Sequence, residues 1–348
     1  MTVVKRFALP LTVILMLVLV GCAQQASQPE TSQQSETETK TQSQVAEVQA
    51  SENMSPYNQA EPLEIVFVTH DLGAGVFAPV RTGMEDACLM VNANCEFLGP
   101  QKYDTAEQVA LIEAAIAKKP DAIVTTRPEP GTYDDVVKRA LAADILVIGF
   151  NTNDPAADEG QPIPFVGQDF TNYGIEWAKA AMSDLPEGGK IAITDCCFGH
   201  YALEERNRSF VETLENEGDK YEVVDVLDTG TDETSIYGVI EAYHQANPDI
   251  DAIYGVDYYS HVLAQYVKNN ELQGKLKIGG SDMGPGNIAG LEEGYVSFGL
   301  GQNPYLQGFY PVMMVHLAKR FGIRPISIDT GTDIVTPANF ADYNPEYR

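Results

Sequence analysis

Three charged residues in the second half of the chain stand where side chains can meet a ligand. Leu203, Phe210 and Leu214 mark the apolar stripe of a helix, and Arg206 falls on that same stripe near the helix start. A guanidinium buried there without a partner is costly. Arg206 therefore needs a carboxylate, with Asp195 as the nearby structural choice, or a hydroxyl-rich ligand. Asp257 ends the apolar run 252–256, and Asp282 follows the strand-like run 277–281. Carboxylates in such places accept bonds from paired hydroxyls, while an arginine donates. The alternative for either aspartate is to cap the helix that follows. The chain has no Gly-x-Ser-x-Gly elbow, no His-Glu-x-x-His and no phosphate-binding loop. Gly73-Ala74-Gly75 lacks the third glycine of a dinucleotide fingerprint. Scattered carboxylate pairs leave glycoside cleavage as the enzymatic alternative, but the expectation is a protein with no catalytic residues, no cofactor and no metal.

The elements that must position these residues alternate. Ile65-Val66-Phe67-Val68 is a continuous apolar run, the pattern of a strand buried on both faces of a parallel sheet. After the Gly-rich loop 71–75, Val80, Met84, Cys88 and Val91 recur at helical spacing, and Phe97-Leu98 starts the next strand. Thr105-Ala106-Glu107-Gln108 reads as a capping box opening a second helix with the stripe Val109, Ile112 and Ile116. Lys118-Lys119 suit the negative end of its dipole, and Pro120 stops it. Runs 122–124 and 145–148 are the third and fourth strands, the latter ending at Asn151-Thr152-Asn153. A stretch with Pro155, Pro162 and Pro164 then leads to a crossing at 165–169. A second set of strands follows at 191–193, 223–226, 252–254, 276–278 and 296–298, with helices between. Near the end, 304–310 opens a helix carrying Val312, Val315 and Leu317, and 326–336 reads as an extended tail. One late helix after a full second set returns the chain to the first. The expected fold is α/β, two similar parallel-sheet lobes joined by a three-crossing hinge, with ligands at the carboxyl ends of the strands.

A chain of 348 residues exceeds one ordinary core, in keeping with two lobes. Lys and Arg total 22 against 50 Asp and Glu, a formal net charge of -28. That balance excludes nucleic acid as a partner, since such binding rests on cationic contacts to phosphate. It reads as a solvated, self-repelling surface suited to high salt, an acidic docking face being the alternative. Lys5 and Arg6 precede an apolar run, 7–20, that is too short to span a bilayer comfortably. Leu19-Val20-Gly21-Cys22 resembles the lipobox of bacterial lipoproteins, in which the cysteine carries the lipid. An uncleaved anchor helix is the alternative. Residues 23–62, rich in Gln, Ser, Thr and Glu, read as a disordered tether. With Cys22 lipidated, Cys88, Cys95, Cys196 and Cys197 remain, and three pairings are open. Cys88 and Cys95 can meet across the turn between helix and strand. Cys196-Cys197 would then form a bridge between adjacent residues, whose Cα atoms at about 3.8 Å lie below the usual disulfide range. Such a ring would lie on a binding loop, a rigid apolar surface flooring the pocket. No Cys-x-x-Cys pair or close His spacing marks a zinc site.

From about Leu63 onward the chain resembles the type I periplasmic (solute-binding) proteins of sugar ABC importers, which include ribose-, galactose- and inositol-binding proteins. The local patterns that carry the resemblance run in order: 124–130, Phe165-Val166-Gly167-Gln168-Asp169, Leu203-Glu204-Glu205-Arg206, Ala246-Asn247-Pro248-Asp249, Gly279-Gly280-Ser281-Asp282 and 302–308. The resemblance implies the clamshell of that family, with a signal and lipobox at 1–22, an N-terminal lobe at 63–168 and 303–325, and a C-terminal lobe at 169–302 and 326–348. It implies Arg206, Asp257, Asp282 and Gln302 as polar contacts to a sugar, and Phe77 as the aromatic that covers a face of its ring, a core aromatic being the other reading. Asn151, Asn153, Arg127 and His200 complete the expected set. Two departures bear on the ligand: Asn151-Thr152-Asn153 replaces the Asp-Arg pair of the ribose-binding branch, and Arg127 stands where an amide is common. They leave room for an acidic ligand held by both Arg127 and Arg206. His200, on a loop facing the cleft, occupies the kind of position that is more often solvent-exposed. The implied role is that of a monomeric, extracytoplasmic, lipid-anchored protein on the bacterial membrane. It would deliver a sugar or polyol to ABC permease subunits, the alternative being presentation of a sugar or nucleoside to a chemoreceptor or sensor kinase.

Overall fold

The computed structural model describes residues 60–154 and 163–343. The expected signal segment, Cys22, all but the end of the tether, and Pro155 and Pro162 lie outside the described residues. The first lobe is built from β1 (Leu63–Val68), α1 (Phe77–Val91), β2 (Ala93–Leu98), α2 (Thr105–Lys118), β3 (Ala122–Thr125), α3 (Asp134–Ala142), β4 (Leu146–Phe150) and β5 (Phe165–Gly167). The second comprises α4 (Phe170–Asp184), β6 (Gly189–Asp195), α5 (Tyr201–Glu215), β7 (Tyr221–Asp228), α6 (Glu233–Ala246) and β8 (Ala252–Gly255). It continues through α7 (His261–Asn269), β9 (Lys277–Ser281), α8 (Pro285–Glu292) and β10 (Phe298–Gly301). Then come α9 (Pro304–Phe321), β11 (Ile328–Asp329) and β12 (Asp333–Val335).

The two sheets have one plan. Their strand orders are β11-β5-β4-β3-β1-β2 and β12-β10-β9-β8-β6-β7. All pairings are parallel except that of β12 with β10. Successive side chains of a strand face opposite sides, so a sheet covered on both faces needs an unbroken apolar run. In β1, Ile65 and Phe67 enter the core shared with α1 and α9, while Val66 and Val68 enter the core under α2 and α3. In β6, Ile191 and Ile193 pack toward α4 and α5, and Ala192 packs toward α6 and α7. The late helix α9 lies on α1. A methyl at Gly308 would overlap the Val80 carbonyl and one at Gly83 the Tyr305 carbonyl, so glycine on each helix permits the close crossing.

Several expected boundaries move. The cap of α2 is Asp104, whose carboxylate accepts from Glu107 N at 2.9 Å, so Thr105 is the first helical residue rather than half of a capping box. Phe97-Leu98 ends β2 instead of starting it, because Asn94 and Glu96 alternate outward on an edge strand and interrupt the apolar run. β10 begins at Phe298, where a run from 296 was expected. The tail does not lie wholly in the second lobe. Ile328 and Asp329 pair in parallel with Val166 and Gly167, covering the open edge of β5, and only β12 joins the second sheet. The chain thus crosses between lobes after β5, after β10 and between β11 and β12. No helix among the described residues is long and apolar enough to cross a membrane.

Candidate ligand-binding cleft

The carboxyl ends of both sheets face each other across a cleft that holds a cavity of about 70 Å3. The first lobe contributes His70, Asp71, Phe77 and Tyr103, all carried by the segments that leave β1 and β2, and Asn151 from the end of β4. The second lobe contributes Cys196, Cys197 and His200 from the loop after β6, Leu203 and Arg206 from α5, and Asp257, Tyr258, Tyr259 and Asp282 from the ends of β8 and β9. Gln302, on the second crossing, lies between them. A larger apolar groove of about 270 Å3 adjoins it past Tyr258, between Pro79, Met283 and Tyr343. The two share Asp282 and Gln302, but the smaller cavity adds Arg206, Asp257, His70, His200 and Asn151, the convergent polar groups that mark a small-molecule site.

Arg206 is 4% exposed. Its guanidinium carbon lies 4.3 Å from the Tyr173 ring centroid, Nη2 donates to Gln168 Oε1 at 2.6 Å, and Nη1 donates to the Val256 carbonyl at 3.3 Å. Nε has no partner. The structural alternative, a bond to Asp195, is not what the chain builds: that carboxylate accepts instead from Cys197 N at 2.9 Å and Asn207 Nδ2 at 2.8 Å. Asp282, in the left-handed region at φ 60°, accepts from Gln302 Nε2. Burial raises its pKa, against the opposing pull of Arg206 and of that hydrogen bond. Asn151 donates to the side-chain oxygens of Gln302 and Gln307, at 3.2 and 3.1 Å.

Asp257 plays the part of a cap. Oδ1 accepts from Tyr259 N at 2.8 Å, and Oδ2 accepts from Cys196 N at 2.7 Å. Burial, with Asp195 next in weight, raises its pKa to about 7. Arg127 and Asn153 do not line the cavity. Arg127 Nε donates to Asn153 Oδ1 at 2.7 Å inside the first lobe, and an arginine spent on an internal amide cannot serve with Arg206 as an anion clamp. Phe77 is both core and wall: it is buried in the cluster beneath β1 and also lines the cavity. His200 is buried, not exposed, with Nδ1 unpartnered.

The residues that the sequence reading missed are mostly rings on strand-exit segments. His70 follows β1 by two residues. Its Nδ1 pairs with Thr126 Oγ1 at 2.9 Å, and its ring lies 5.2 Å from Phe77, 5.4 Å from Tyr103 and, across the cleft, 5.4 Å from His200. Burial lowers its pKa to about 3 and holds that of His200 well below the usual value, with His70 and Arg206 adding to the second shift. Both imidazoles are neutral, each able to donate one bond and accept one. The strand-end rule that selected Asp257 and Asp282 would also have selected His70. Tyr103, Tyr258 and Tyr259 stand in non-repeating segments and left no periodic signal.

The lobes are sealed against each other. Tyr201 N, at the start of α5, donates to the Pro128 carbonyl after β3 at 2.8 Å. The Tyr258 phenol bonds the backbone at Gly75, where an added methyl would overlap its oxygen. The four cysteines are paired as Cys88–Cys95, joining α1 to β2 with Cα atoms 6.4 Å apart, and Cys196–Cys197, with Cα atoms 3.8 Å apart. Asp195, Cys196 and Asp257 bring potential metal-ligand atoms within 4.8 Å of one another. The sulfur is bridged and both carboxylates hold backbone amides, so this group is built as a support and not as a coordination set.

Two like-ordered α/β lobes, three crossings and a cavity between the lobes with convergent polar groups define a clamshell binding protein of type I. The family model for the periplasmic binding protein domain matches residues 65–321, and the chain belongs to that family, one of binding proteins and not of enzymes. The xylose/arabinose-binding protein XylF of Sulfolobus acidocaldarius is 28% identical over 295 residues, covering 80% of this chain and 72% of the relative. An ABC transporter solute-binding protein from Burkholderia graminis, solved in complex with D-arabinose, superposes with a TM-score of 0.75 at 23% identity, over 82% of this chain and 99% of that one. GanP, a glucose-galactose binding protein from Geobacillus stearothermophilus, gives a TM-score of 0.75 at 21% identity, over 80% and 99% of the two chains.

Proposed function

We propose that this protein captures a neutral monosaccharide, a pentose before a hexose, between its lobes outside the cytoplasm and delivers it to an ABC importer. The observation that carries this reading is the set of buried polar atoms left open at the cavity: Arg206 Nε and His200 Nδ1, beside Asp282 and Gln302. Buried polar groups need partners. A ring of hydroxyls, each a donor and an acceptor, supplies them without adding charge. One arginine against the buried Asp257 and Asp282 leaves no cationic surplus for an acid, and Arg127 is spent elsewhere. The cavity, far below the roughly 300–1,000 Å3 of drug-sized sites, suits a single small ring. Neutral rings supply apolar surface for the C–H faces of that ring.

Catching is a matter of closure. The ligand bonds Arg206 and Asp282 of the second lobe, and the first lobe brings Asn151, His70 and Phe77 down upon it. The closed form gains by the ligand's differential affinity for it. The pentose named for the xylose/arabinose-binding relative and for the arabinose-bound neighbour supports the choice of sugar. A lipid on Cys22 and a tether over 23–62 hold the receptor at the membrane in this reading.

The test is a thermal-shift and calorimetric screen of residues 60–348 against xylose, arabinose, ribose, glucose, galactose, inositol and uronic acids. A ligand at 100 times its dissociation constant stabilises by about 2.7 kcal/mol. We expect that shift with a pentose and none with a uronic acid. Stabilisation by uronic acids alone would overturn the neutral-sugar reading.

A further inference from the structure

The loop after β6 holds the Cys196–Cys197 bridge at the cavity, and the polar recognition set does not use it. Its mounting is unusual for a mere loop staple. The two successive amides donate to two different buried carboxylates, Cys196 N to Asp257 Oδ2 at 2.7 Å and Cys197 N to Asp195 Oδ1 at 2.9 Å. Those carboxylates are in turn fixed, Asp257 by Tyr259 N at 2.8 Å and Asp195 by Asn207 Nδ2 at 2.8 Å. Asp195 and Asp257 are 1% and 5% exposed. Burying two carboxylates close together is expensive, and the raised pKa of Asp257 reflects that cost. What they secure is the orientation of one pair of sulfurs.

On this basis, and resting on the sugar-capture reading above, we infer that the Cys196–Cys197 disulfide is a ligand-contacting wall of the cavity. It is a rigid apolar plate that packs against one C–H face of the sugar ring while Phe77 and its neighbouring rings close on the ring from the other lobe. Asp195 and Asp257 are its positioning residues. A bridge between adjacent residues removes the side-chain torsional freedom of both. The plate therefore loses no rotamer entropy when the ligand arrives, which is the gain of a preorganised contact. Opened to two thiols, the same atoms regain that freedom, and the sulfurs no longer present a single surface.

The experiment uses the protein as it exists, prepared under oxidising conditions. Peptide mapping without reductant locates the bridge, and calorimetry with D-xylose and L-arabinose reads the affinity before and after dithiothreitol. The reagent delivers two electrons and two protons to each bridge, leaving two thiols and its own cyclic disulfide. A Cys88→Ser/Cys95→Ser protein isolates the pocket bridge, and a Cys196→Ser/Cys197→Ser protein lacks it. The expected result is an approximately tenfold loss of affinity on reduction of wild type and of the Cys88→Ser/Cys95→Ser protein. The Cys196→Ser/Cys197→Ser protein should match reduced wild type and ignore the reductant. Free thiols at both positions in the oxidised protein would overturn the inference, as would tight pentose binding that reduction leaves within twofold. Absence of sugar binding by oxidised, correctly bridged wild type would instead bring down the sugar-capture reading and the plate's role with it.

Discussion

The loop leaving β1 and the loop leaving β6 occupy the same place in two sheets of like order, yet they carry different chemistry. The first leads into neutral rings, His70 and Phe77, joined by Tyr103 from the neighbouring exit. The second carries the bridged cysteines and His200 into α5, where Arg206 waits, with Asp257 and Asp282 on the adjacent strand ends. The duplicated framework carries an arginine and two aspartates on one side of the cavity, and rings with a single aspartate, Asp71, on the other. The charged groups in the second lobe are anchored within that lobe or to the crossings, Arg206 to Gln168 and Asp282 to Gln302, so the polar half of the site stays ordered as the first lobe moves. The first lobe's charged group at the cavity is Asp71, whose Oδ1 accepts from Gly73 N at 2.8 Å, and its Arg127 is tied to Asn153.

The division predicts an ordered set of effects. The largest separates the two arginines. Arg206→Ala should weaken pentose binding by 100-fold or more, about 3 kcal/mol, the scale of a lost buried charged hydrogen bond. Arg127→Met should lower the melting temperature by several degrees while leaving affinity within threefold. Calorimetry and melting curves on both proteins decide it, and equal losses of affinity would erase the distinction between lobes. Next comes the first-lobe disulfide, which closes a short loop between α1 and β2 away from the cavity. Replacing it as Cys88→Ser/Cys95→Ser should cost about 2 kcal/mol of stability in a denaturant titration with no change in sugar affinity.

A smaller effect probes how the first lobe seats. Gly75→Ala places a methyl against the Tyr258 phenol only when the lobes are shut, so affinity should fall about tenfold, 1.4 kcal/mol, with the melting temperature of the sugar-free protein unchanged. Partial recovery in a Gly75→Ala/Tyr258→Ala protein would tie the loss to that contact. The smallest is a pH effect. His70 titrates near 3 in the closed cleft, and a wetted open cleft returns it toward its ordinary 6.5. Protonation then favours the open form, so its contribution to closure is full above about pH 6.5 and fades as the pH falls toward 3. The affinity of wild type relative to His70→Gln should be constant from pH 8 to 6.5 and decline several-fold by pH 5. A flat ratio over the whole range would mean that His70 is equally buried with the lobes apart.

The sequence displayed the framework because buried parallel strands must be apolar on both faces, and β1, β3, β4, β6 and β8 all are. It was less informative at edges. β2 alternates, and the two-residue β11 carries no pattern at all, so only the unpaired side of β5 explains where the tail goes. Within the site, Arg206 was legible because a charge on an apolar helical stripe demands a reason. Arg127 looked equally eligible at a strand end. Its diversion to Asn153 is a contact between segments that strand patterning alone does not predict. Asp257 was read as a sugar acceptor with capping as the alternative, and the capping geometry is what the backbone around it displays. The tyrosines were hidden because they sit where the chain has no period, whereas His70 stands at a strand end, where the rule applied to Asp257 and Asp282 reaches it.

The three crossings are also bolted to one another. Gln168 on the first donates to the Gly301 carbonyl of the second, at 3.2 Å, and to the Gly331 carbonyl of the third, at 3.1 Å. Thr330 Oγ1 donates to the Gln302 carbonyl at 2.9 Å, and Asn303 Nδ2 donates to the Thr330 carbonyl at 2.8 Å. Single connections would let the lobes twist and shear as well as swing. Three parallel ones, cross-linked by side-chain amides and hydroxyls, resist torsion and leave bending about one axis as the soft motion. The shape offered to a membrane partner then reports a single coordinate, shut or not shut. The same Gln168 that ties the crossings together also holds Arg206, so in the sugar-capture reading the bearing of the hinge and the grip on the ligand share one residue.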